Sequence, residues 1–169
     1  MNTLRTPSCL PLAALCAALL GAPAAWALEA GAWAPELSLP GIASPVSLAG
    51  FKGKVVYLDF WASWCGPCKQ SFPFMNELQA RYRAAGLEIV AVNLDVKRDD
   101  ADKFLAQVPA QFTVAFDARG DSARRFAVKG MPSSYLIGRD GKVIAAHKGF
   151  KEDDRKELEA GIAQALEGK

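Results

Sequence analysis

The chain has 169 residues, with 20 Lys and Arg against 18 Asp and Glu and a formal net charge of +2 at neutral pH. This near balance, without a cluster of basic residues, argues against a nucleic-acid-binding protein. The length is sufficient for one compact domain with its own core, and the sequence shows neither an internal repeat nor a low-complexity linker.

The first 27 residues have the pattern of a secretory signal peptide. Arg5 supplies the positive charge, residues 10–20 form the apolar segment, and Ala25-Trp26-Ala27 has small residues at the two positions that a signal peptidase reads. We therefore predict cleavage after about Ala27 and a mature periplasmic domain of residues 28–169. An uncleaved membrane anchor is the alternative, although the apolar segment is shorter than the ~20 residues that span a bilayer.

Removal of this leader changes the cysteine count. Cys9 and Cys16 leave with it, so the mature chain keeps only Cys65 and Cys68. In an exported protein such a close pair is more typical of a redox couple than of a structural crosslink, because so short a loop constrains the unfolded chain little. A metal site is not expected, since structural zinc needs four ligands and His147 is the only histidine.

The elements around the cysteines are a hairpin, a strand and a helix. Residues 34–48 place three prolines around short apolar pairs, which predicts an edge hairpin. Residues 55–61 are apolar, with β-branched and aromatic side chains, which predicts a buried strand. After the Cys-Gly-Pro-Cys turn, apolar residues recur at helical spacing on the face of Cys68. We therefore predict a helix in which Cys68 is more buried than Cys65.

The remaining chain alternates strands with helices. The Asp140-Gly141 pair predicts a hairpin between the last two strands, and Glu157 is placed to complete a capping box for the last helix. This order predicts an α/β fold with a mixed central sheet covered by helices on both faces. The predicted strands span residues 87–95, 113–116, 134–137 and 143–147, and the predicted helices span residues 99–107, 121–126 and 154–166.

The junction of strand and helix suits thiol chemistry. Unpaired N–H groups and the positive dipole end of a helix favour a thiolate over a thiol, and Pro67 is tolerated in a first helical turn. Lowering a thiol pKa from ~8.5 to ~7 needs about 2 kcal/mol, whereas a helix end usually supplies about 0.3–1 kcal/mol. Hydrogen bonds must add the rest. We predict that Cys65 is the nucleophile, at the exposed end of the turn, and that Cys68 is the resolving thiol.

The segment Trp64–Lys69 reads Trp-Cys-Gly-Pro-Cys-Lys, and Gly130-Met131-Pro132 follows later in the chain. With the strand before it, this segment resembles the thioredoxin superfamily. The N-terminal hairpin and the helix-strand unit at residues 99–116 are typical of its TlpA/ResA-like branch, the exported thiol-disulfide oxidoreductases. The resemblance covers residues 34–161. It implies a thioredoxin-like fold with that hairpin and that helix-strand insertion as additions.

The resemblance also implies a role for Asp59. In thioredoxins the matching acid lies behind the second cysteine and accepts its proton, which makes Asp59 the general base toward Cys68. The apolar sequence around Asp59 also supports this role, because an ionised carboxylate in an apolar strand is poorly solvated and its pKa is raised. The alternative is an edge aspartate solvated on the other face of the strand.

The partner-binding residues are likewise implied by the resemblance. Met131-Pro132 matches the cis-proline loop that faces the cysteines, and Met131 would pair its backbone with an extended substrate chain. Trp64, Gly66 and Pro67 would complete the contact surface. For Trp64, packing within its loop is the alternative.

The Gly-Pro pair between the cysteines is the one found in reducing thioredoxins. The resemblance therefore implies a monomeric reductase of disulfide-containing exported proteins, with the Cys65–Cys68 disulfide as its redox group, no other cofactor, and a membrane electron donor of the DsbD/CcdA type. Relatives devoted to cytochrome c maturation often carry a glutamate three residues after the second cysteine and lack the strand aspartate. Here Ser71 and Asp59 stand at those positions, which favours a general or copper-centre-directed reductase.

Three alternatives stay open. A Cu(I)-handling assembly chaperone would use Cys65 and Cys68 as soft ligands. A reductase specific for cytochrome c maturation would keep the same chemistry with a narrower partner. A thiol peroxidase is disfavoured, because the sequence lacks the Thr-x-x-Cys arrangement of peroxiredoxins.

Overall fold

The computed structural model of the protein describes residues 28–168, so the predicted leader lies outside the described residues. The strands and α-helices of this part, in chain order, are β1 Ser38–Leu39, β2 Val46–Ser47, β3 Val55–Trp61, α1 Gly66–Tyr82, β4 Leu87–Asn93, α2 Arg98–Gln107, β5 Thr113–Phe116, α3 Asp121–Arg125, β6 Ser133–Ile137, β7 Val143–Lys148 and α4 Arg155–Glu167. Short 3-10 turns at Leu48–Phe51, Arg83–Ala85 and Glu152–Asp154 join them.

Five of the strands form one mixed sheet in the order β5-β4-β3-β6-β7, with β3 at the centre. β3 runs parallel to β4, and β4 runs parallel to β5. β6 runs antiparallel to both β3 and β7. The predicted thioredoxin-like architecture of a mixed sheet with an added helix-strand unit, α2 and β5, is confirmed.

The two short strands β1 and β2 pair antiparallel in a small sheet of their own. This is the predicted N-terminal hairpin, and it buries Leu37 and Val46 against the main sheet. At Gly41 the backbone passes so close to Ser44 that a Cβ would lie 2.3 Å from its carbonyl oxygen. Only glycine fits there, which fixes where the hairpin turns.

Both faces of β3 are covered, and all seven of its residues are buried. Val55, Tyr57 and Trp61 face a core that includes α1 and both cysteines, whereas Val56, Leu58 and Phe60 face a second core on the other side. This explains the continuous apolar run in the sequence. Helix α2 joins the first core through Phe104, whose ring centroid lies 4.8 Å from that of Trp61.

Several boundaries differ from the predicted ones. β4 ends at Asn93 and not at Asp95, because the Asp95 N–H donates to the Asn93 side chain and the chain leaves the sheet. The predicted capping box with Glu157 is wrong. Instead, the carboxylate of Asp154 accepts the Lys151 N–H at 2.8 Å. This hydrogen bond caps the 3-10 turn Glu152–Asp154 that precedes α4. Within residues 28–168, no helix combines the length and apolarity that crossing a membrane requires.

Candidate active site

The site begins where β3 passes into α1. Cys65 is the N-cap residue of α1, and its Sγ accepts the N–H of Cys68 at 3.2 Å. The Cys65 N–H in turn donates to the carbonyl of Ala62 at 3.1 Å, which tightens the turn after the strand. Gly66 and Pro67 then open the helix, where a missing proline N–H costs no hydrogen bond. The first cysteine sulfur is therefore held over the first turn of a helix.

The two cysteines are joined by a disulfide bond, so the structure represents the oxidised protein. Cys68 is fully buried, and Cys65 is 5% exposed. The predicted order of burial is confirmed, whereas the expectation of an exposed Cys65 is wrong for this state. Its Sγ is turned back over the helix, both to accept the Cys68 N–H and to bond to a buried sulfur.

Asp59 is 2% exposed and lies on the same face of β3 as Tyr57 and Trp61, which belong to the core that contains Cys68. Its neighbours across the sheet are Ala91 and Ser134. Within residues 28–168, its buried Oδ2 has no hydrogen-bond partner. Burial raises the pKa of the Asp59 carboxyl well above its ordinary value, because the charged form is poorly solvated. The alternative of a solvated edge aspartate is wrong.

Tyr57 and Ser134 extend this polar spot inside the core. The Tyr57 hydroxyl donates to Ser134 Oγ at 2.9 Å. Burial raises the pKa of Tyr57, and the nearby Asp59 adds to the rise. His147 pairs with Ser134 across β6 and β7, and its Nε2 lies 3.3 Å from Asp154 Oδ2. The single histidine is therefore half-buried on the last strand and paired with an acid.

The Met131–Pro132 peptide bond is cis. Met131 is partly buried against the core that contains both cysteines, and Pro132 is buried. Two hydrogen bonds hold this loop, from the Gly149 N–H to the Pro132 carbonyl at 2.8 Å and from Ser133 Oγ to the Gly130 carbonyl at 2.7 Å. The structure thus brings the loop to the same core as the cysteines.

Trp64 is 73% exposed, and Gly66 and Pro67 are exposed beside it. The alternative of a packed loop aromatic is wrong for Trp64. These three residues leave an open surface around the buried sulfur of Cys65.

Sequence reasoning missed a clamp between the active-site loop and the end of β4. The buried carboxylate of Asp95 accepts the Ser63 N–H at 2.9 Å, the Ser63 hydroxyl at 3.0 Å and the Asn93 side-chain amide at 2.8 Å. The carboxyl ends of parallel β3 and β4 lie at one edge of the sheet. The Asn-x-Asp sequence at the end of β4 was therefore the sequence pattern that could have indicated a polar contact with the active-site loop.

The comparisons with known proteins agree with this geometry. A family model described as Redoxin matches residues 29–162, and the chain belongs to that family. The thiol-disulfide oxidoreductase ResA of Bacillus thuringiensis subsp. konkukian is 38% identical over 133 residues, which cover 78% of this chain and 76% of that protein. ResA of Oceanobacillus iheyensis is 36% identical over 129 residues, covering 73% and 67%.

Solved structures give the same picture. A protein of Chlorobium tepidum assigned as thiol:disulfide interchange protein DsbE is 58% identical, with a TM-score of 0.81 over 82% of this chain and 99% of that one. A thiol:disulfide interchange protein from Bacteroides sp. has a TM-score of 0.73 at 24% identity, over 85% and 93%, and bears on the fold alone. Within the thioredoxin superfamily, the chain is thus a ResA-like thiol-disulfide oxidoreductase.

Proposed function

We propose that this protein is an exported reductase that transfers two electrons from the Cys65 and Cys68 thiols to disulfide bonds of other exported proteins. The observation that supports it best is the position of Cys65 Sγ at the N-cap of α1, where it accepts the Cys68 N–H and lies next to the second sulfur. A thiolate in that position is stabilised by the helix end and by this hydrogen bond.

The exchange takes two steps. The Cys65 thiolate attacks one sulfur of the partner disulfide, and the other partner sulfur leaves as a thiolate. Cys68 then gives its proton to the Asp59 carboxylate and attacks Cys65 Sγ, which breaks the mixed disulfide and releases the second partner sulfur as a thiolate. The Cys65–Cys68 disulfide remains, which is the state that the structure represents.

Asp59 is suited to the role of general base. It is buried on the face that packs against Cys68, and its raised pKa brings it closer to that of a thiol. A carboxylate of ordinary acidity would be a poor acceptor for a thiol proton. Met131, Pro132, Trp64, Gly66 and Pro67 form the proposed partner surface, with the Met131 backbone available for strand addition.

The cellular setting is also proposed. The leader pattern of residues 1–27 supports export to the periplasm. A reductant in an oxidising compartment needs resupply, which supports a membrane electron donor of the DsbD/CcdA type. One chain carries the complete cysteine pair, the acid and the cis-proline loop, so the protein is proposed to act as a monomer.

A general reductase is proposed rather than one devoted to cytochrome c maturation. At the position where such relatives often carry a glutamate, the buried Ser71 donates its hydroxyl to the Cys68 carbonyl at 3.0 Å. No acidic side chain therefore stands there beside the resolving cysteine. The acidic residue near the cysteines is instead Asp59, which lies on strand β3.

Trapping of partners tests the proposal. A Cys68→Ser variant, produced in the exporting cell, should accumulate mixed disulfides on Cys65, because no second thiol can resolve them. The matched Cys65→Ser variant should accumulate none. An absence of adducts on Cys68→Ser, together with a Cys65 that resists alkylation at neutral pH, would contradict the reductase. A Cu(I) titration run beside a disulfide-reduction assay separates it from a copper chaperone, which would bind the metal tightly without turnover.

A further inference from the structure

Two loops beside Cys65 present bare apolar side chains to solvent. Trp64 is 73% exposed and Val96 is 81% exposed, and they are two of the five exposed large hydrophobic residues in the described part of the chain. Each directly follows one member of the Ser63–Asp95 pair, so the clamp fixes the two loops relative to one another. An apolar surface held by buried hydrogen bonds is pre-organised for binding. We call Trp64 and Val96 the apolar ledge.

A cleft opens between α1 and the added helix α2, and its lining includes Ser63, the residue directly before Trp64. Its volume is about 290 Å³. Phe104 and Val108 supply its apolar lining, and Ser63 connects it to the active-site loop. The cleft is therefore lined both by the active-site loop and the first turn of α1, through Ser63 and Lys69, and by helix α2 of the added helix-strand unit.

The charged groups of the cleft favour an anion. Lys69, Lys103 and Asp100 line it, which leaves one excess positive charge. Lys103 lies 3.8 Å from Asp100, a long contact between exposed side chains. Lys69 is exposed, and within residues 28–168 it forms no ion pair. Its ammonium is therefore available to a partner.

We propose that the ledge and the cleft form a subsite for the partner polypeptide, which takes an apolar side chain on Trp64 and Val96 and a carboxylate side chain at Lys69. This inference rests on the proposed reductase function and names its substrate class: proteins whose reducible cysteine is flanked by an apolar and an acidic residue. Charge complementarity of this kind speeds encounter and selects partners more than it adds affinity.

Activated disulfide peptides test this subsite. In a set of five-residue peptides, a cysteine bonded to neutral 2-thiopyridine is flanked by Leu or Gly on one side and by Glu, Gln or Lys on the other, in both orders. Cys65 attacks the peptide sulfur, and the released thiopyridine is followed by absorbance. The wild-type protein should react about two- to fivefold faster with Glu than with Gln peptides at low ionic strength, as expected for one exposed ion pair. The preference should shrink as salt rises.

Ratios within each variant make the test independent of folding and of Cys65 reactivity. In Lys69→Gln the Glu-to-Gln ratio should fall close to one, whereas in the matched control Lys52→Gln it should stay as in the wild type. In Val96→Ser, the advantage of Leu over Gly peptides should fall. A wild-type ratio of one, or an unchanged ratio in Lys69→Gln, would overturn the subsite. Failure of every peptide to react with the wild type would instead overturn the reductase itself.

Discussion

Asp59 combines deep burial with an Oδ2 that has no partner in the described chain, and its pKa is raised for that reason. The native state therefore binds this proton more tightly than the unfolded chain does. The stability that the proton contributes is complete below the unfolded pKa of ~3.9 and is lost as pH rises through the folded pKa. The residue thus costs stability at neutral pH, as expected of a group kept for chemistry.

Asp59→Asn should therefore be more stable than the wild type at neutral pH. The difference should grow by about 1.4 kcal/mol for each pH unit between the unfolded and folded pKa values. Urea denaturation of the oxidised protein at several pH values measures it, since disulfide-bonded cysteines do not titrate. Asp153→Asn, at an exposed carboxylate, is the matched control and should show no such trend. A stability difference independent of pH between 4 and 8 would contradict this account.

The same substitution should slow the second step of the exchange. Without a proton acceptor for Cys68, resolution of a mixed disulfide on Cys65 should be about 10²-fold slower, the usual lower bound for a lost general base. Alkylation of Cys65 in the reduced protein should stay fast, since Cys65 does not depend on that base. Stopped-flow measurement of mixed-disulfide decay checks this. Equal decay in both proteins would remove Asp59 from the mechanism.

At the scale of elements, the clamp between the active-site loop and β4 should be stabilising. Asp95→Ala leaves the Ser63 N–H and the Asn93 amide without their acceptor, which should cost about 1–3 kcal/mol. Ser63→Ala removes only the hydroxyl bond and should cost less, about 0.5–1.5 kcal/mol. Equilibrium urea unfolding gives both values. The control is Asp99→Ala, at an exposed acid in the first turn of α2, which should lower the free energy of unfolding by only about 0.3–1 kcal/mol. If Asp99→Ala lowered it as much as Asp95→Ala does, the loss at Asp95 would be an effect of charge and not of the clamp.

Local patterns predicted most of the elements. The limits of β5 agree at both ends, because the apolar and β-branched pattern that predicts a strand depends only on residues that are neighbours in the chain. The clamp could not be found in the same way. It joins Ser63 to Asp95 across 32 positions, and the sequence pattern read Asp95 as the last residue of a strand. The burial of Cys65 likewise depends on the disulfide, and therefore on the redox state.

At the scale of the whole molecule, whether the protein is a reductant or an oxidant should determine which of its two forms, oxidised or reduced, has the larger free energy of unfolding. A reducing pair is one whose native fold favours the disulfide over two thiols more than the unfolded chain does. The oxidised protein should then be more stable than the reduced protein. The difference should be about 1.4 kcal/mol for each ~30 mV by which the reduction potential of the native Cys65–Cys68 pair lies below that of the same pair in the unfolded chain. Denaturation of both forms measures the difference. A more stable reduced form would indicate an oxidant.

The central place of β3 has a consequence for motion. With a hydrogen-bonded neighbour on each side and both faces covered, its amide hydrogens should be among the last to be replaced by deuterium, well after those of the edge strand β7. Mass spectrometry of exchanged peptides can show this. The reacting cysteines would then follow directly after the slowest-opening segment of the protein, so that it can change partners many times without loosening the strand that leads into the cysteine turn.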